Sequence, residues 1–591
     1  MKHAAIIILA TLLFGCSSSN RYLPQHEFPT RAEAQKLATS AQKLQREPQD
    51  SGAKRVNQWA LIGALPTVAG ESATVGDSPW SVALATLAQA SGQHRVTEQS
   101  MCFARQFGHF VQSEGSVPFD SLENFMAARC GATGLARSWA ALAFDNTEDI
   151  DATWATNQAA IEQWAKARIQ KMTEPMSVGV TAYKRANKVV FVLTNERRGL
   201  DFQAVNMQVS GNSVVLRGTS SFAKTDSVSA VVTKGEFGVG KCVRDSRVNY
   251  PDFSFTCEID PADSYAYVDF ARGTEGRLLS TFTSRVMVSG SSLPAEYIAP
   301  AIKRAIDAMP KSSSPDLSEV PSPTTQPDLS PRPLVPSGGG NFEQEVFRII
   351  NHLGRKFSWR PSFYEEAQSA FNRKMVPYFI ASADRDAEEE NQAAWAVMAG
   401  WEVNQFIVNG SFQSLSGNTN PSEFVDTMLE SAHGRALVLG PEVSAIAIGT
   451  EIRGDQAAVI VSTFDFMPKA DFNNRVAEAL RDLNRARAQR NLPPLKESIK
   501  LRGIARELAG RIQSNDIELD DAGSKLADQY VRKYNKSCRY WMFVANEFDD
   551  MKFDPAIVGT KKGRVSMVVA PYRPEGYPWG FYAVIIVVEQ D

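Results

Sequence analysis

The stretch Ser431–Gly449 reads SAHGRALVLGPEVSAIAIG, and its His433 is one of six histidines in 591 residues. The others are His3, His26, His94, His109 and His352. Histidine changes charge near neutral pH and is the commonest metal ligand, so His433 is the first residue to weigh for chemistry. A stable metal site needs three or four converging ligands of suitable type, and this stretch supplies one. Ser431 stands two residues before His433, and helical neighbours at that spacing do not face each other. A serine nucleophile with a histidine base is therefore not expected. The acidic run Asp384–Glu390 has the residue type for weak calcium binding but reads more simply as a solvated helix start. FGVGK, Phe237–Lys241, lacks the spacing and the following Ser or Thr of a phosphate loop. No catalytic residue, no metal and no cofactor is expected.

The elements around His433 favour a structural role for it. Asn420 reads as a helix N-cap, with Pro421 at the first position and Glu423 at the third. Val425, Leu429 and His433 then fall at i, i+4 and i+8 on one face. The expectation is one helix with His433 at its C-terminus, where an imidazolium meets the negative end of the dipole. The run after it, SAIAIGTEIRGDQAAVIVSTFDF, alternates like paired strands with one buried face.

This helix-then-hairpin arrangement recurs. Three places open with a helix, a bend and a second helix, the last reading FNNRVAEALRDLNRARAQR, NLPPL, KESIKLRGIARELAGRI. Each closes about 90 residues later in paired alternating runs. In the last copy Val476, Leu480 and Leu483 share one helix face with arginines opposite. Asn491 tolerates a left-handed turn, and Pro493–Pro494 stop the helix. Trp395 and Trp401 read as core, and YPWGFY, Tyr577–Tyr582, as part of a hairpin. The fold class expected is α+β: three divergent α-β-α modules at 78–205, 341–470 and 471–591. Short alternating stretches between the first two copies predict a small all-β domain, sandwich or barrel, at 206–309, closed by a helix at Pro294–Met309. A linker at 310–340, rich in Pro, Ser and Gly, separates the halves.

The amino-terminus sets the compartment. Lys2, an apolar run from Ala4 to Phe14, then Gly15 and Cys16 have the form of a signal peptide at 1–15, too short to span a bilayer. Leu13-Phe14-Gly15-Cys16 resembles the bacterial lipoprotein cleavage box. That resemblance implies lipidation of Cys16 and attachment to the envelope, the outer membrane in particular because Ser17 follows. Residues 16–77 read as a tether with one helix near Thr30–Arg46. An oxidising compartment permits disulfides. Cys242 and Cys257 bracket one short β-rich segment, and Cys102 and Cys130 lie on neighbouring helices, so both pairs are expected to be bridged, with Cys538 left over. No C-x-x-C pair is present. Net charge is −3 and no long basic block occurs, so no nucleic-acid partner is expected.

The bend N-x-x-R-x-x-x-x-L-P-P-L, here Asn484, Arg487, Leu492, Pro493, Pro494 and Leu495, resembles the CAP superfamily, also called SCP domains. So does the S-x-H helix end before G-P-E and an I-x-I-G strand. The resemblance implies an α-β-α sandwich with a cleft where, in many members, two histidines and two acidic residues take a divalent metal. His433 matches one family histidine, and Glu402 in GWEVNQFIVNG matches a family glutamate with one residue inserted. The second histidine has no counterpart, and the first and third copies lack the site. Glu402 and His433 are therefore candidate cleft residues that fall short of a metal set. The expected function is a non-enzymatic, membrane-anchored envelope lipoprotein that binds or scaffolds an envelope protein, peptide or glycan such as peptidoglycan. One alternative is a metal-assisted peptide or peptidoglycan hydrolase using Glu402 and His433, and another is a lipid-binding protein.

Overall fold

A computed structural model describes residues 31–41, 78–289, 340–382, 406–513 and 538–590, with short breaks inside these spans. Cys16, most of the tether, the linker, Pro294–Met309, Asp384–Glu390, Trp395, Trp401 and Glu402 lie outside the described residues. The chain forms two compact units, one built from 32–398 and 410–463, the other chiefly from 464–591. Helix α1, Arg31–Ala41, falls where the tether helix is expected. The fold is α+β with several small antiparallel sheets.

The first module runs through α2 (Pro79–Gln89), α3 (Glu98–Glu114), α4 (Asp120–Arg129), β1 (Arg137–Asp145), α5 (Ile150–Ile169), β2 (Met176–Arg185) and β3 (Lys188–Arg197). Thr97 starts α3 with a reciprocal capping box: its hydroxyl accepts the Ser100 N–H at 3.1 Å, and the Ser100 hydroxyl accepts the Thr97 N–H at 3.0 Å. Gly115 ends that helix in the left-handed region at φ 72°. The strand order is β1-β3-β2. Alternation along β3 builds two cores. Val190 and Val192 meet Phe103, Phe107, Leu122 and Phe125 of α3 and α4, while Val189, Phe191 and Leu193 meet Leu84, Trp154 and Ile161 of α2 and α5. Helices therefore cover both faces of the sheet. A disulfide joins Cys102 of α3 to Cys130 at the end of α4, with Cα atoms 5.6 Å apart.

The β-rich domain follows with β4 (Leu200–Phe202), β5 (Val209–Ser210), β6 (Ser213–Ser220), β7 (Asp226–Lys234), β8 (Gly238–Arg244), β9 (Asp252–Glu258), β10 (Ala266–Thr274) and β11 (Ser280–Val288). Its sheet thus begins at Leu200 rather than at 206. The order is β11-β10-β7-β8-β9-β6-β4, with β5 on β6. The sheet folds back on itself. Phe202 of β4 and Phe253 of β9 meet Phe270 of β10 at 4.9 and 5.8 Å between ring centroids, so the two ends share one core. Cys242 and Cys257 are directly opposed on β8 and β9 and form the expected second disulfide.

The second module contains α6 (Gly340–Lys356), β12 (Phe363–Tyr364), α7 (Glu366–Ser382), β13 (Phe406–Ser416), α8 (Pro421–Glu430), α9 (Ala432–Leu439), β14 (Ala445–Arg453) and β15 (Gln456–Phe466). The third contains α10 (Phe472–Ala488), β16 (Lys496–Glu497), α11 (Ile499–Gln513), β17 (Cys538–Ala545), α12 (Pro555–Val558), β18 (Gly563–Tyr572) and β19 (Phe581–Gln590). Their sheets have equivalent orders, β12-β14-β15-β13 and β16-β18-β19-β17. In both, the bend after the first helix adds a two-residue strand parallel to the first strand of the hairpin. The first module repeats the feature as a parallel bridge from Arg95 to Ser177 of β2. The sheet order is therefore repeated three times, with α4 an addition of the first module.

The bends are held by matching side chains. Asn351 of α6 accepts the Ser362 N–H at 2.8 Å, and Asn484 of α10 accepts the Leu495 N–H at 2.9 Å. Each asparagine reaches 11 residues ahead, to the residue just before the short strand. In the third module the fully buried Arg487 adds bonds to the carbonyls of Pro493, Val558 and Thr560 at 2.7–3.0 Å. Asn491 takes the expected left-handed turn at φ 57°. Gly179 of β2 and Gly449 of β14 lie so close to the backbone of the second helix (Ser100, and Asn372–Arg373) that a Cβ at either position would collide with it.

Candidate functional site

The sequence around His433 does not form one helix. Asn420 caps α8 as expected, accepting the Ser422 N–H at 2.9 Å. The helix then stops, because Ser431 is extended at φ −77°, ψ 131°. The same serine starts α9, its hydroxyl accepting the Gly434 N–H at 3.2 Å. Gly434 sits against the Met428 carbonyl, where a Cβ could not fit. His433 therefore lies in the first turn of a second helix, not at the C-terminus of a long one. The positive end of a helix dipole disfavours an imidazolium, the reverse of the expected interaction. Burial depresses the His433 pKa to about 4, with Asp269 opposing the shift. The side chain keeps only a minor part of its surface in water. At neutral pH it is an uncharged imidazole.

The kink at Ser431 places two donors on one carboxylate of the β-rich domain. The Ser431 hydroxyl donates to Asp269 Oδ2 at 2.9 Å, and the Ala432 N–H donates to the same oxygen at 2.7 Å. Asp269 on β10 is the cross-strand partner of Arg285 on β11, and both are buried. Arg285 Nε donates to Asp269 Oδ1 at 2.6 Å, and its guanidinium lies 4.7 Å over the Tyr267 ring. It also approaches Glu430, the last residue of α8, at 3.7 Å. Burial works against the Arg285 charge, but the Asp269 and Glu430 carboxylates outweigh it and raise its pKa.

Two further contacts complete the joint. Arg435 of α9 donates from Nε to the Leu429 carbonyl at 2.7 Å, which braces the kink. Its Nη1 reaches the carbonyls of Gly235 and Gly238 in the β7–β8 turn at 3.1 and 3.2 Å. Burial lowers its pKa to about 10, with Asp263, Asp269 and Glu430 opposing. Burial also pushes up the hydroxyl of Tyr265, helped by Glu430. From the first module, Asn124 of α4 donates to Glu430 Oε2 at 3.1 Å, and Ser121 bonds Thr427 at 3.1 Å. The N–H of Arg285 itself donates to the Thr133 carbonyl at 2.8 Å. Three domains of the first unit thus meet at one buried cluster of charges.

A second buried carboxylate organises the second module from within. Glu343 of α6 accepts the Tyr364 hydroxyl at 3.0 Å, Arg373 Nη2 at 2.8 Å, and both the N–H and hydroxyl of Thr450 at 3.0 Å. Three other elements converge on it. Burial, then the Glu343 charge, raises the Tyr364 pKa, so that phenol is a donor and not a base at ordinary pH.

Of the candidate residues, Cys16 and Glu402 lie outside the described residues, so no geometry joins Glu402 to His433. Both expected disulfides are present. His94 is a structural histidine, its Nδ1 accepting the Met176 N–H at 3.3 Å. Among the described residues no group of three or more His, Cys, Asp or Glu side chains could hold a metal ion, and no helix is long and apolar enough to cross a membrane. Sequence reasoning missed Asp269, Arg285, Glu343, Arg373 and Asn351. For the first two a signal existed: AYVDFARGT and STFTSRVMV each carry a charge inside an apolar strand, where it must be paired to be buried. No family model matches the chain, and no curated protein matches it.

Proposed function

We propose that this chain is a membrane-anchored envelope lipoprotein that binds or scaffolds an envelope protein, peptide or glycan without catalysis. Its three repeated modules are read as divergent CAP-like sandwiches. The observation that carries the non-enzymatic reading is the commitment of Ser431. Its hydroxyl gives its hydrogen to Asp269 and takes the Gly434 N–H, so the segment with the most chemical promise is built into a domain joint. The thrice-repeated sheet order and the Asn484–Arg487 bend support the family reading. The motif Leu13–Cys16 supports the anchor.

In-cell cross-linking of intact envelopes tests the function. Discrete adducts that survive both chelator and His433→Gln are expected. A peptide- or peptidoglycan-cleaving activity lost with chelator, Glu402→Gln and His433→Gln would replace this reading with the hydrolase. Cys16→Ser is expected to end incorporation of labelled palmitate and release the chain from the membrane fraction.

A further inference from the structure

The sheet of the first module has one open edge among the described residues. Its order β1-β3-β2 makes β1 the outer strand, as β13 and β17 are in their modules, while the Arg95–Ser177 bridge takes the opposite edge. β1 is nine residues long and pairs with β3 in one unbroken register. An edge strand presents a row of unpaired N–H and C=O groups, and native proteins guard such rows with inner charges, a proline or a bulge. β17 carries Arg539 inside the strand, and β13 carries Gly410, which weakens a strand interior. β1 reads RSWAALAFD, with its charges only at the two ends, Arg137 and Asp145.

The packing at this edge is unfinished on both faces. Trp139 meets Phe107 at 5.4 Å between ring centroids, and on the other face Phe144 meets Phe191 at 6.3 Å. Trp139, Leu142 and Phe144 nevertheless stay only half-buried, and Ala141 and Ala143 are exposed. Paired antiparallel with a copy of itself, the strand is complementary. Centring that pair on Ala141 is the one register that uses the whole strand. It sets Trp139 opposite Ala143, Leu142 opposite Ala140 and Phe144 opposite Ser138, so each large side chain meets a small one. At the ends Arg137 stands opposite Asp145. Within the existing sheet Arg137 is opposite Glu196, and Asp145 is paired with Lys188 at 3.6 Å but remains 78% exposed. The row across four strands thus runs Lys188, Asp145, Arg137, Glu196, alternating in sign with no like charges adjacent.

We propose that two copies of the chain join β1 to β1 about a two-fold axis at Ala141, merging two three-stranded sheets into one. Such an interface uses the same patch on both copies and closes, because the far edge of each sheet is taken by its Arg95 bridge. A strand of unrelated sequence would satisfy the hydrogen bonds of the edge without the match in size and charge. The contact needs neither the lipid on Cys16 nor the CAP-like reading.

The test uses the full chain with Cys16→Ser and Cys538→Ser, which removes the anchor and the two cysteines outside the described disulfides. Sedimentation equilibrium should show monomer and dimer in exchange and nothing larger. Ala141→Lys sets like charges face to face on the axis. It should leave monomer at concentrations where the parent is dimeric, with the unfolding transition kept. Val82→Lys, at an exposed residue of α2 in the same module, should leave the dimer unchanged. Ala141→Cys should form an intermolecular disulfide under mild oxidant, since directly opposed strand residues lie within disulfide reach. Ala143→Cys should not, because its copy in the partner lies four residues along the pair, about 13 Å away. A parent that stays monomeric, a dimer that Ala141→Lys leaves intact, or equal cross-linking from 141 and 143 would overturn the proposal. So would assemblies larger than a dimer that Ala141→Lys dissolves, since these require an edge that does not close. A photo-cross-linker at 141 in whole envelopes that captures another protein and never a second copy would overturn it too.

Discussion

The Ser431 hydroxyl reaches Asp269 at 2.9 Å across 162 residues of chain, and the adjacent Ala432 N–H reaches the same oxygen at 2.7 Å. One bend in the second module thus completes the solvation of a carboxylate buried in the β-rich domain. A hydrogen bond to a charged group contributes about 1.5–3 kcal/mol, so Ser431→Ala should destabilise the first unit by that amount. Arg285→Met should cost more, about 3–5 kcal/mol, because it leaves Asp269 and Glu430 buried without their cation. Urea unfolding of the full chain, followed through a probe in the first unit, measures both. Additivity of the two losses would show that Ser431 and Arg285 do not share Asp269.

His433 gives the joint an acid limit. Its folded pKa of about 4 is below the unfolded value of 6.5, so the unfolded chain binds more protons between them. The stability linked to this group is complete above pH 6.5 and falls as pH drops towards 4. The loss is on the order of 1–3 kcal/mol, allowing for the part of the ring in water. In His433→Gln that part of the acid slope should vanish. The difference in unfolding midpoint between wild type and variant, followed from pH 7 to pH 4, isolates it from the carboxylates. A histidine at a helix C-terminus would give the opposite slope.

Arg487 should be irreplaceable by lysine. Its guanidinium bonds three carbonyls from two separate segments, with no carboxylate beside it among the described residues. Arg487→Lys offers one ammonium in place of the fork, and Arg487→Met offers nothing. Each carbonyl left unsatisfied costs about 1–3 kcal/mol, so the methionine variant should lose the cooperative unfolding of the second unit. Retention of that transition near the wild-type midpoint would refute the clamp.

The two disulfides should not be equivalent under reduction. In the chain-entropy estimate, a loop of about 15 residues contributes about 3 kcal/mol and a longer loop slightly more. The observed separations are 15 for Cys242–Cys257 and 28 for Cys102–Cys130. Cys102→Ala with Cys130→Ala should therefore cost at least as much as Cys242→Ala with Cys257→Ala. Thermal unfolding of the two double variants, after non-reducing peptide mapping of the parent, decides it.

Local signals in the sequence were reliable where a single residue dictates backbone geometry. Asn420 caps its helix, Asn491 turns left-handed, and both cysteine pairs close as their spacing suggests. Alternating runs became strands because one face of each is buried. The error at His433 was one of period: Val425, Leu429 and His433 fit a continuous helix, yet Ser431 caps a new one because Asp269 attracts its hydroxyl and the next N–H. That attraction comes from a residue 162 positions away and leaves no trace in the local pattern. Glu343 was hidden for the same reason, since its three partners, Tyr364, Arg373 and Thr450, come from three other elements. Asn351 was legible in principle, standing 11 residues before its bend just as Asn484 does, but only once the bends themselves were aligned.

The short parallel strand after each first helix carries a kinetic consequence. Phe363 pairs with Ala445, and Lys496 with Arg564, so an early piece of each module waits for one made much later. Such non-local pairing raises contact order and slows folding, because loop closure comes before the contacts that reward it. Synthesis proceeds from the amino-terminus, so Asp269 and Arg285 also emerge well before Ser431 and Glu430 exist. A nascent chain halted within the linker would hold an ion pair whose remaining partners had not yet been made. Ribosome-stalled chains ending there should be cut by protease at β10 and β11 and become resistant once residue 466 has cleared the exit tunnel.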